Sequence, residues 1–383
     1  MVKGFVFFKE GKIPFVINNY RMELFTDDDL LNDFSKEYNF KVNYILQGQY
    51  FGDGIQGQRA TFLVEYSIGS TCYLHCYIIN MFALEDGYDT IGLQSPFFDD
   101  IFRYKYKYSD MIKAGANLAV EPKDAYRVPF SMNSRQYELT FRIGHNGRFG
   151  LLEDFDRNGE LLLPLKTDGI QECFDISVVL RRLAMFMIPY AEVLFKRITL
   201  YKKGSKVGWF FCPFVSEKAV SGYDVLFYNF DVMKYIPIIL NNIALDSGNK
   251  ITQSVPLGHL AGNFNSMFSS QRFVEQVIAF EYLFDKLEHQ KAQDSKFPLK
   301  KELESMFNKF SKLLPKSELP SNEICEQIKE IRRSIIHGYA YYYDFKNDPN
   351  IQYLIILLDK LIRNMSLLWI GFTEDEIAEY LLR

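Results

Sequence analysis

The sequence predicts an α+β protein, with an antiparallel, β-rich and sandwich-like region in front and a helical bundle behind it. Short runs rich in β-branched and aromatic residues, separated by clusters of Gly, Asn and Asp, fill roughly the first 170 residues. In the final third, apolar residues recur instead at the helical spacing of three and four. With 383 residues, the chain exceeds what one hydrophobic core usually holds. We therefore predict a β-rich domain over residues 1–255 and a helical domain over residues 256–383.

The predicted strands of the front domain are short and alternate with turns. Successive side chains of a strand point to opposite faces, which suits an antiparallel sandwich or a barrel-like sheet that buries one face. The segments with this pattern are 5–8, 13–17, 20–25, 40–46, 61–66, 71–79, 101–108, 126–131 and 136–143. Towards its end we expect further strands at 193–201 and 207–211, and helices near 175–190 and at 230–245.

Composition and cysteine usage argue against several classes of protein. A net charge of −4 is not that of a chain that is basic throughout, so any nucleic-acid contact must come from a local patch. Five scattered cysteines and the lack of a signal peptide favour a reduced, cytoplasmic location. Charges interrupt the most apolar stretch, 351–370, which favours a buried helix over a membrane span. Cys72 and Cys76 have no second ligand pair at zinc-like spacing, so we expect neither metal nor cofactor.

The final third contains several predicted helices. Apolar stripes define the buried faces of these helices, and a last long helix is expected from residue 351. The second of them is expected to end at Pro315. Residues suited to a helix start mark where the others begin: Ser269 or Ser270, Pro298, Ser321 or Asn322, and the capping box Thr373-x-x-Glu376.

The helix that begins at Ser321 or Asn322 ends in the most informative stretch of the chain, residues 331–339. Four isoleucines lie on one face of it: Ile324, Ile328, Ile331 and Ile335. At about 100° per residue, Arg333 and His337 point to nearly the opposite side, with Arg332 between. Gly338 readily takes the left-handed conformation that ends a helix. We therefore expect an exposed His337 in the last helical turn.

The spacing Arg332-x4-His337 resembles the Arg-x(4 to 6)-His signature of HEPN domains, helical modules many of which are metal-independent ribonucleases. Its position behind a β-rich front half is similar to that in the ApeA-like HEPN proteins of bacteria. HEPN nucleases often carry Asn, Asp or His directly after the arginine, where this chain has Arg333. The family pattern selects Arg332, whereas helical spacing puts Arg333 one turn from His337, so both remain candidates.

The resemblance implies an endoribonuclease that cuts single-stranded RNA or tRNA to 2′,3′-cyclic phosphate ends. It also implies a homodimer, because HEPN sites form where two motif helices meet, and a front domain that senses a phage-derived trigger in antiphage defence by abortive infection. Lysines before the motif helix suggest a track for a phosphate backbone, and the binding candidates are Lys300 and Lys301, together with Tyr339 after the motif. The lysines of this track are Lys291, Lys296, Lys300, Lys301, Lys309, Lys312 and Lys316.

Three alternatives stay open. In the first, His337 is a helix-end residue that caps carbonyl groups, and the two arginines form surface ion pairs. In the second, the bundle is a HEPN module that binds nucleic acid or dimerises without catalysis. In the third, the chain acts as a toxin. The pattern Arg-x4-His-x-Tyr also resembles that of HEPN toxins in which a partner nucleotidyltransferase modifies the tyrosine, here Tyr339. That tyrosine opens an aromatic run, 339–343, for which packing is the simpler explanation.

Overall fold

The computed structural model describes residues 2–52, 55–81, 87–95, 119–146, 156–167, 169–187, 194–215, 235–247, 268–288, 298–315, 320–369 and 371–381. The chain divides into two compact units, one of Met1–Arg181 with Val193–Gly222 and one of Arg182–Glu192 with Tyr223–Arg383. The predicted α+β class with an antiparallel, β-rich front is confirmed. The boundary at residue 255 stays a prediction, since 248–267 lie outside the described residues.

The first unit is built on one antiparallel sheet of twelve strands in the residues that the structure describes. It also contains the helix α1 (Asp28–Tyr38) and the first part of α2 (Ile170–Met187), as far as Arg181. The strands are β1 (Val2–Phe8), β2 (Gly11–Asn18), β3 (Arg21–Leu24), β4 (Tyr44–Gly52), β5 (Ile55–Ile68), β6 (Thr71–Asn80), β7 (Thr90–Gln94), β8 (Ala119–Met132), β9 (Arg135–Asn146), β10 (Asp156–Pro164), β11 (Arg197–Lys202) and β12 (Ser205–Phe211).

The first six strands close into a small barrel, in the order β3-β2-β1-β4-β5-β6 with β6 pairing back to β3. Strand β6 makes two different pairings along one edge. Its first residues, from Thr71 to Tyr73, pair with β3, and its last, from Tyr77 to Asn80, pair with β12. From β12 the sheet continues as β11-β7-β10-β9-β8. The front unit is therefore a closed sheet extended by an open one, and of the two expected forms, a sandwich or a barrel-like sheet, its first six strands adopt the barrel.

Tight hairpins set the register of this sheet. Asn19 and Tyr20 join β2 to β3, and Asn133 and Ser134 join β8 to β9, all four with positive φ. Two-residue turns with positive φ at both positions match the right-handed twist of paired strands. Asparagine tolerates this conformation better than most residues. The Asn-rich breaks seen in the sequence are thus hairpin turns.

Helix α1 covers one side of the barrel core and was not predicted from the sequence, which indicated only a break between strands. The carboxylate of Asp27 accepts a hydrogen bond from the backbone of Leu30 at 2.9 Å and caps the helix. Phe34 is fully buried and meets the ring of Phe8 edge to face, with centroids 5.3 Å apart. The predicted strand at 40–46 starts only at Tyr44 for this reason.

Other strand predictions differ in detail. Strands β7 and β10 were not predicted from the sequence, because β7 is only five residues long and β10 begins with four polar or glycine residues. The prediction at 101–108 lies outside the described residues. The predicted helix near 175–190 begins earlier, at Ile170.

The second unit is helical among its described residues. Its helices are α3 (Ile236–Ser247), α4 (Ser270–Glu288), α5 (Leu299–Lys309), α6 (Ser321–Ile336), α7 (Pro349–Trp369) and α8 (Glu374–Leu381), with a one-turn 3-10 helix (Ala340–Tyr342) between α6 and α7. Helix α4 packs mainly against α7, and α5 against α6. Helix α3, which the sequence reading assigned to the front domain, ties into this unit, because the side chain of Asn242 donates to the carbonyl of Trp369 at 3.0 Å.

Polar contacts also fix the α4–α7 pair. The guanidinium of Arg272 contacts Asp359 at 2.8 Å, and the amide of Gln276 donates to the same carboxylate at 2.9 Å. Arg272 is buried, so this pair is partly shielded from water.

The predicted helix starts are borne out only in part. Ser269 caps α4 by accepting from the backbone of Arg272 at 3.1 Å, and Thr373 with Glu376 forms the predicted capping box of α8. The prediction that Ser321 or Asn322 caps α6 is wrong. Pro320 occupies the N-cap position and offers no side-chain cap, so both residues lie inside the helix. Helix α5 ends at Lys309, before the predicted Pro315, because the chain turns at 310–314.

Candidate active site at the end of helix α6

Helix α6 ends as the sequence predicts. Gly338 has a φ of 83°, and its amide donates to the carbonyl of Ile335 at 3.0 Å. The amide of Tyr339 donates to the carbonyl of Ser334 at 2.8 Å. These two bonds form a Schellman motif, which satisfies carbonyl groups that a helix end otherwise leaves unpaired. The turn therefore needs no side-chain cap from His337.

His337 is exposed at this end of α6 and is the cap residue of the helix. Three of the four predicted core isoleucines are buried on the opposite face: Ile324, Ile328 and Ile331. Among the residues that the structure describes, none hydrogen-bonds to the imidazole of His337. The side chain is therefore accessible to a ligand in solution.

The two candidate arginines have different surroundings. The side chain of Arg333 is 69% exposed, and its contact with Glu330 is long, at 3.9 Å. It lies one turn before His337, on the same side of α6. The guanidinium of Arg332 instead donates to Glu281 of α4 at 3.1 Å, with 32% and 27% of the two side chains exposed. Helical spacing thus groups Arg333 with His337, whereas Arg332 forms an inter-helix ion pair.

A second carboxylate lies near the Arg332–Glu281 pair. Glu302 of α5 is buried, and this burial, reinforced by repulsion from Glu281, raises its pKa to about 7, although Arg332 opposes the change. Burial also raises the pKa of Glu281, again against the effect of Arg332. Two carboxyl groups, those of Glu281 and Glu302, therefore lie near the guanidinium of Arg332. The sequence offered no signal for Glu281 or Glu302, because they lie on other helices.

The lysine candidates are not gathered around His337. Lys300 pairs with Glu326 of α6 at 2.8 Å, and this hydrogen bond raises the pKa of Lys300. Lys300 and Lys329 together lower the pKa of Glu326 to about 2. At 1.5 Å per residue, Glu326 lies about 16 Å along the helix axis from His337. Lys301, adjacent to Lys300 on α5, is exposed.

The rest of the predicted lysine track is incomplete. Lys309 pairs with Glu288 at 3.4 Å. Lys312 is exposed in the turn after α5. The predictions for Lys291, Lys296 and Lys316 lie outside the described residues. Carboxylates thus neutralise at least part of the track at Lys300 and Lys309.

Three tyrosines directly after α6 are exposed, where packing had been the simpler expectation. We call them the tyrosine cluster: Tyr339, Tyr341 and Tyr342. Their side chains are 50%, 71% and 72% exposed, respectively. The ring centroids of Tyr341 and Tyr342 are 4.3 Å apart, and those of Tyr339 lie 6.4 and 6.2 Å from them. The motif marks only Tyr339 as a candidate, and nothing in the sequence pattern distinguishes Tyr341 and Tyr342 from packed residues.

Chemically, this end of α6 offers an exposed imidazole, that of His337, and one exposed guanidinium, that of Arg333, while Arg332 is paired with Glu281. Within the described ranges, no three His, Cys, Asp or Glu side chains come together as metal ligands would. Of the helices that the structure describes, none has both the length and the apolar character needed to cross a membrane.

Compared with known proteins, the chain matches no protein-family model, no curated protein and no solved structure.

Proposed function

We propose that the helical unit is a HEPN-type, metal-independent endoribonuclease that cuts single-stranded RNA or tRNA. One observation carries the proposal: His337 is exposed in the last turn of α6, with Arg333 exposed one turn before it. The alternative, an imidazole packed inside its own bundle, would have left no group to reach a ribose.

The residues suit this chemistry. Cleavage without a metal needs a base for the 2′-hydroxyl, an acid for the 5′-oxygen that leaves, and positive charge near the phosphate. Imidazole groups ordinarily titrate near pH 6.5, so they can give and take protons at neutral pH. Guanidinium groups keep their charge and can bind a phosphate through two hydrogen bonds. His337 supplies the proton transfers, and Arg333 or Arg332 supplies the positive charge near the phosphate.

A single imidazole cannot be base and acid in one concerted step, so the proposal includes a homodimer. A two-fold axis beside the ends of two α6 helices would bring two copies of His337 into one cleft. The product would then carry a 2′,3′-cyclic phosphate. Measuring oligomeric state by light scattering tests this part on its own.

The central experiment compares the unmodified chain with His337→Ala on labelled tRNA and single-stranded RNA, with EDTA present. We expect cleavage to cyclic-phosphate ends by the unmodified chain and a loss of at least about 100-fold in the variant. His75→Gln changes a histidine of the β-rich unit and serves as the matched control, with full activity expected. Equal cleavage by His337→Ala, or intact RNA at every pH, would refute the proposal.

A binding module without catalysis is the second candidate, and the Arg332–Glu281 pair favours it. A guanidinium held by a carboxylate at 3.1 Å must leave that partner before it can bind a phosphate in the same way. RNA affinity that survives in every variant, with no cleavage by any of them, would support this module.

The toxin reading has its own structural support. Tyr339 is half exposed, so a nucleotidyltransferase could reach its hydroxyl. The intact mass of protein purified from cells that carry the neighbouring genes would reveal a nucleotide on Tyr339. An unmodified mass, together with unchanged growth on expression, would exclude this reading.

We further propose a role in antiphage defence in the cytoplasm, with the β-rich unit sensing a phage-derived trigger. This part rests only on the likeness of Arg332-x4-His337 and its β-rich partner region to ApeA-like proteins. Phage plating on bacteria that express the chain tests it, with the His337→Ala variant as control. Equal plaque numbers for both would count against a defence role.

A further inference from the structure

The chain segment that carries the tyrosine cluster is anchored to the helical bundle by the residues that follow the cluster. The hydroxyl groups of Ser334 and Tyr343 lie 3.2 Å apart in a hydrogen bond, which ties the turn back to the helix. Next along the chain, Phe345 is buried against Phe273 of α4, with ring centroids 6.1 Å apart. One side of the turn is thus anchored in the bundle core. The rings of the cluster are held on the other side, in water.

Such a group of exposed rings is unusual on a protein surface. Burying a large aromatic side chain lowers the free energy of a protein or a complex. A contiguous exposed apolar patch therefore commonly marks a binding site. Tyr343 and Phe345, from the same short segment, pack inward. The three cluster residues therefore remain outside despite belonging to a segment that can bury rings.

Cationic side chains flank the cluster along the chain. Arg333 and His337 precede the cluster on the same end of α6, and Lys346 follows it, exposed. The carboxylates of the same stretch are Glu330, in its long contact with Arg333, Asp344 and Asp348. Asp344 accepts hydrogen bonds from the backbone amides of Lys346 and Asn347, so it is engaged within its own turn. Aromatic faces beside cationic groups are the combination with which proteins hold single-stranded nucleic acids.

We propose that the tyrosine cluster is a stacking platform for unpaired RNA bases, which delivers single-stranded RNA to His337. This inference rests on the proposed nuclease function and narrows its substrate class. Base faces are available for stacking only where the strand is unpaired, so duplex RNA is excluded. Every base has an aromatic face, so the platform selects strand state rather than a particular sequence.

The test measures binding to the full chain, with His337→Ala as background so that the RNA stays intact. The probes are a labelled 12-nucleotide oligoadenylate, an abasic oligomer of the same length, and a duplex. Tyr341→Ala and Tyr342→Ala should each weaken oligoadenylate binding by roughly tenfold, whereas Tyr341→Phe and Tyr342→Phe keep the ring and should bind normally. The abasic oligomer should bind weakly and equally to all variants. Phe40→Ala, which removes a fully exposed ring of the β-rich unit, is the matched control.

Several results would overturn the platform. Unchanged affinity in the alanine variants would do so, as would an abasic oligomer or duplex that binds as tightly as oligoadenylate. Alanine variants that turn a dimer into monomers, and lose affinity for all probes alike, would show instead that the cluster joins two copies of the chain. Cleavage separates the two proposals: RNA cutting without ring-dependent binding removes the platform alone, and ring-dependent binding without cutting removes the nuclease alone.

Discussion

The guanidinium of Arg332 donates a hydrogen bond to the carboxylate of Glu281 over 3.1 Å, joining α6 to α4. Its neighbour in sequence, Arg333, extends into solvent. Two adjacent arginines of one motif therefore have different physical surroundings, and their substitutions should have different consequences.

We expect Arg332→Ala to lower the free energy of unfolding by about 1 kcal/mol, because it removes a half-exposed ion pair and leaves Glu281 partly buried without its partner. Arg333→Ala should change stability by less than about 0.5 kcal/mol. If Arg333 holds the phosphate, its loss should reduce RNA cleavage by about 100-fold. Urea unfolding and cleavage rates of both variants measure this. A stable but inactive Arg332→Ala, beside a fully active Arg333→Ala, would assign the phosphate to Arg332.

Glu302 should make the helical unit less stable as the pH rises. Its pKa in the folded chain is about 7, above the ordinary value of 4.5, because burial disfavours the charged form. Between these values the folded state binds more protons than the unfolded state, so the stability contributed by Glu302 is full below about pH 4.5 and is lost as the pH rises to about 7. Glu302→Gln should remove this dependence and be more stable than the unmodified chain at pH 8, by about 2 kcal/mol. Parallel pH profiles of unfolding for the two proteins would contradict this assignment.

Gly338 should be required for the geometry of the site. Its φ of 83° strains any side chain, although a Cβ there would meet no atom within 4 Å. Gly338→Ala should cost about 1 kcal/mol of stability and reduce cleavage by displacing His337. Gly338→Asn should cost less, because asparagine tolerates the left-handed region. Thermal unfolding and cleavage of the two variants decide the matter, and equal losses in both would argue against a conformational cause.

Gly4 should be essential to the barrel. A Cβ at this position would lie 1.9 Å from the carbonyl oxygen of Gln49, where β1 pairs with β4. Gly4→Ala should therefore cost about 3 kcal/mol or more, since backbone cannot move aside cheaply. Gly69→Ala is the control, because that turn glycine has positive φ but nothing within 4 Å, and it should cost only about 1 kcal/mol. Denaturation midpoints compare the two, and similar values would contradict the steric argument.

Local patterns in the sequence were sufficient for much of the helical unit. The isoleucine stripe of α6 and the turn at Gly338 are encoded within a few residues, so their periodicity and residue types predict exposure of His337. The missed cap at Pro320 has a local cause as well, because Ser321 and Asn322 are good caps that the helix happens to include.

Features that join distant parts of the chain left no such pattern. The pairing of β3 with β6 closes the barrel across some fifty residues, and Glu281 meets Arg332 across a similar separation. Sequence periodicity likewise reports neither the exposure of Tyr341 and Tyr342 nor the packing of Phe345 against Phe273 of another helix. These contacts depend on how distant helices and strands pack together, and local patterns in one sequence do not show that packing.

Strand β6 pairs with β3 at its start and with β12 at its end, so a single register must satisfy both pairings. Burial alternates along its first half with a period of two, so slipping by one residue would turn the buried Cys72 and Leu74 outward in the closed ring and would break the pairing with β12 as well. Alternative pairings there are penalised twice. The ring and the open sheet should therefore melt as one cooperative block, with matching hydrogen-exchange protection on both sides of β6.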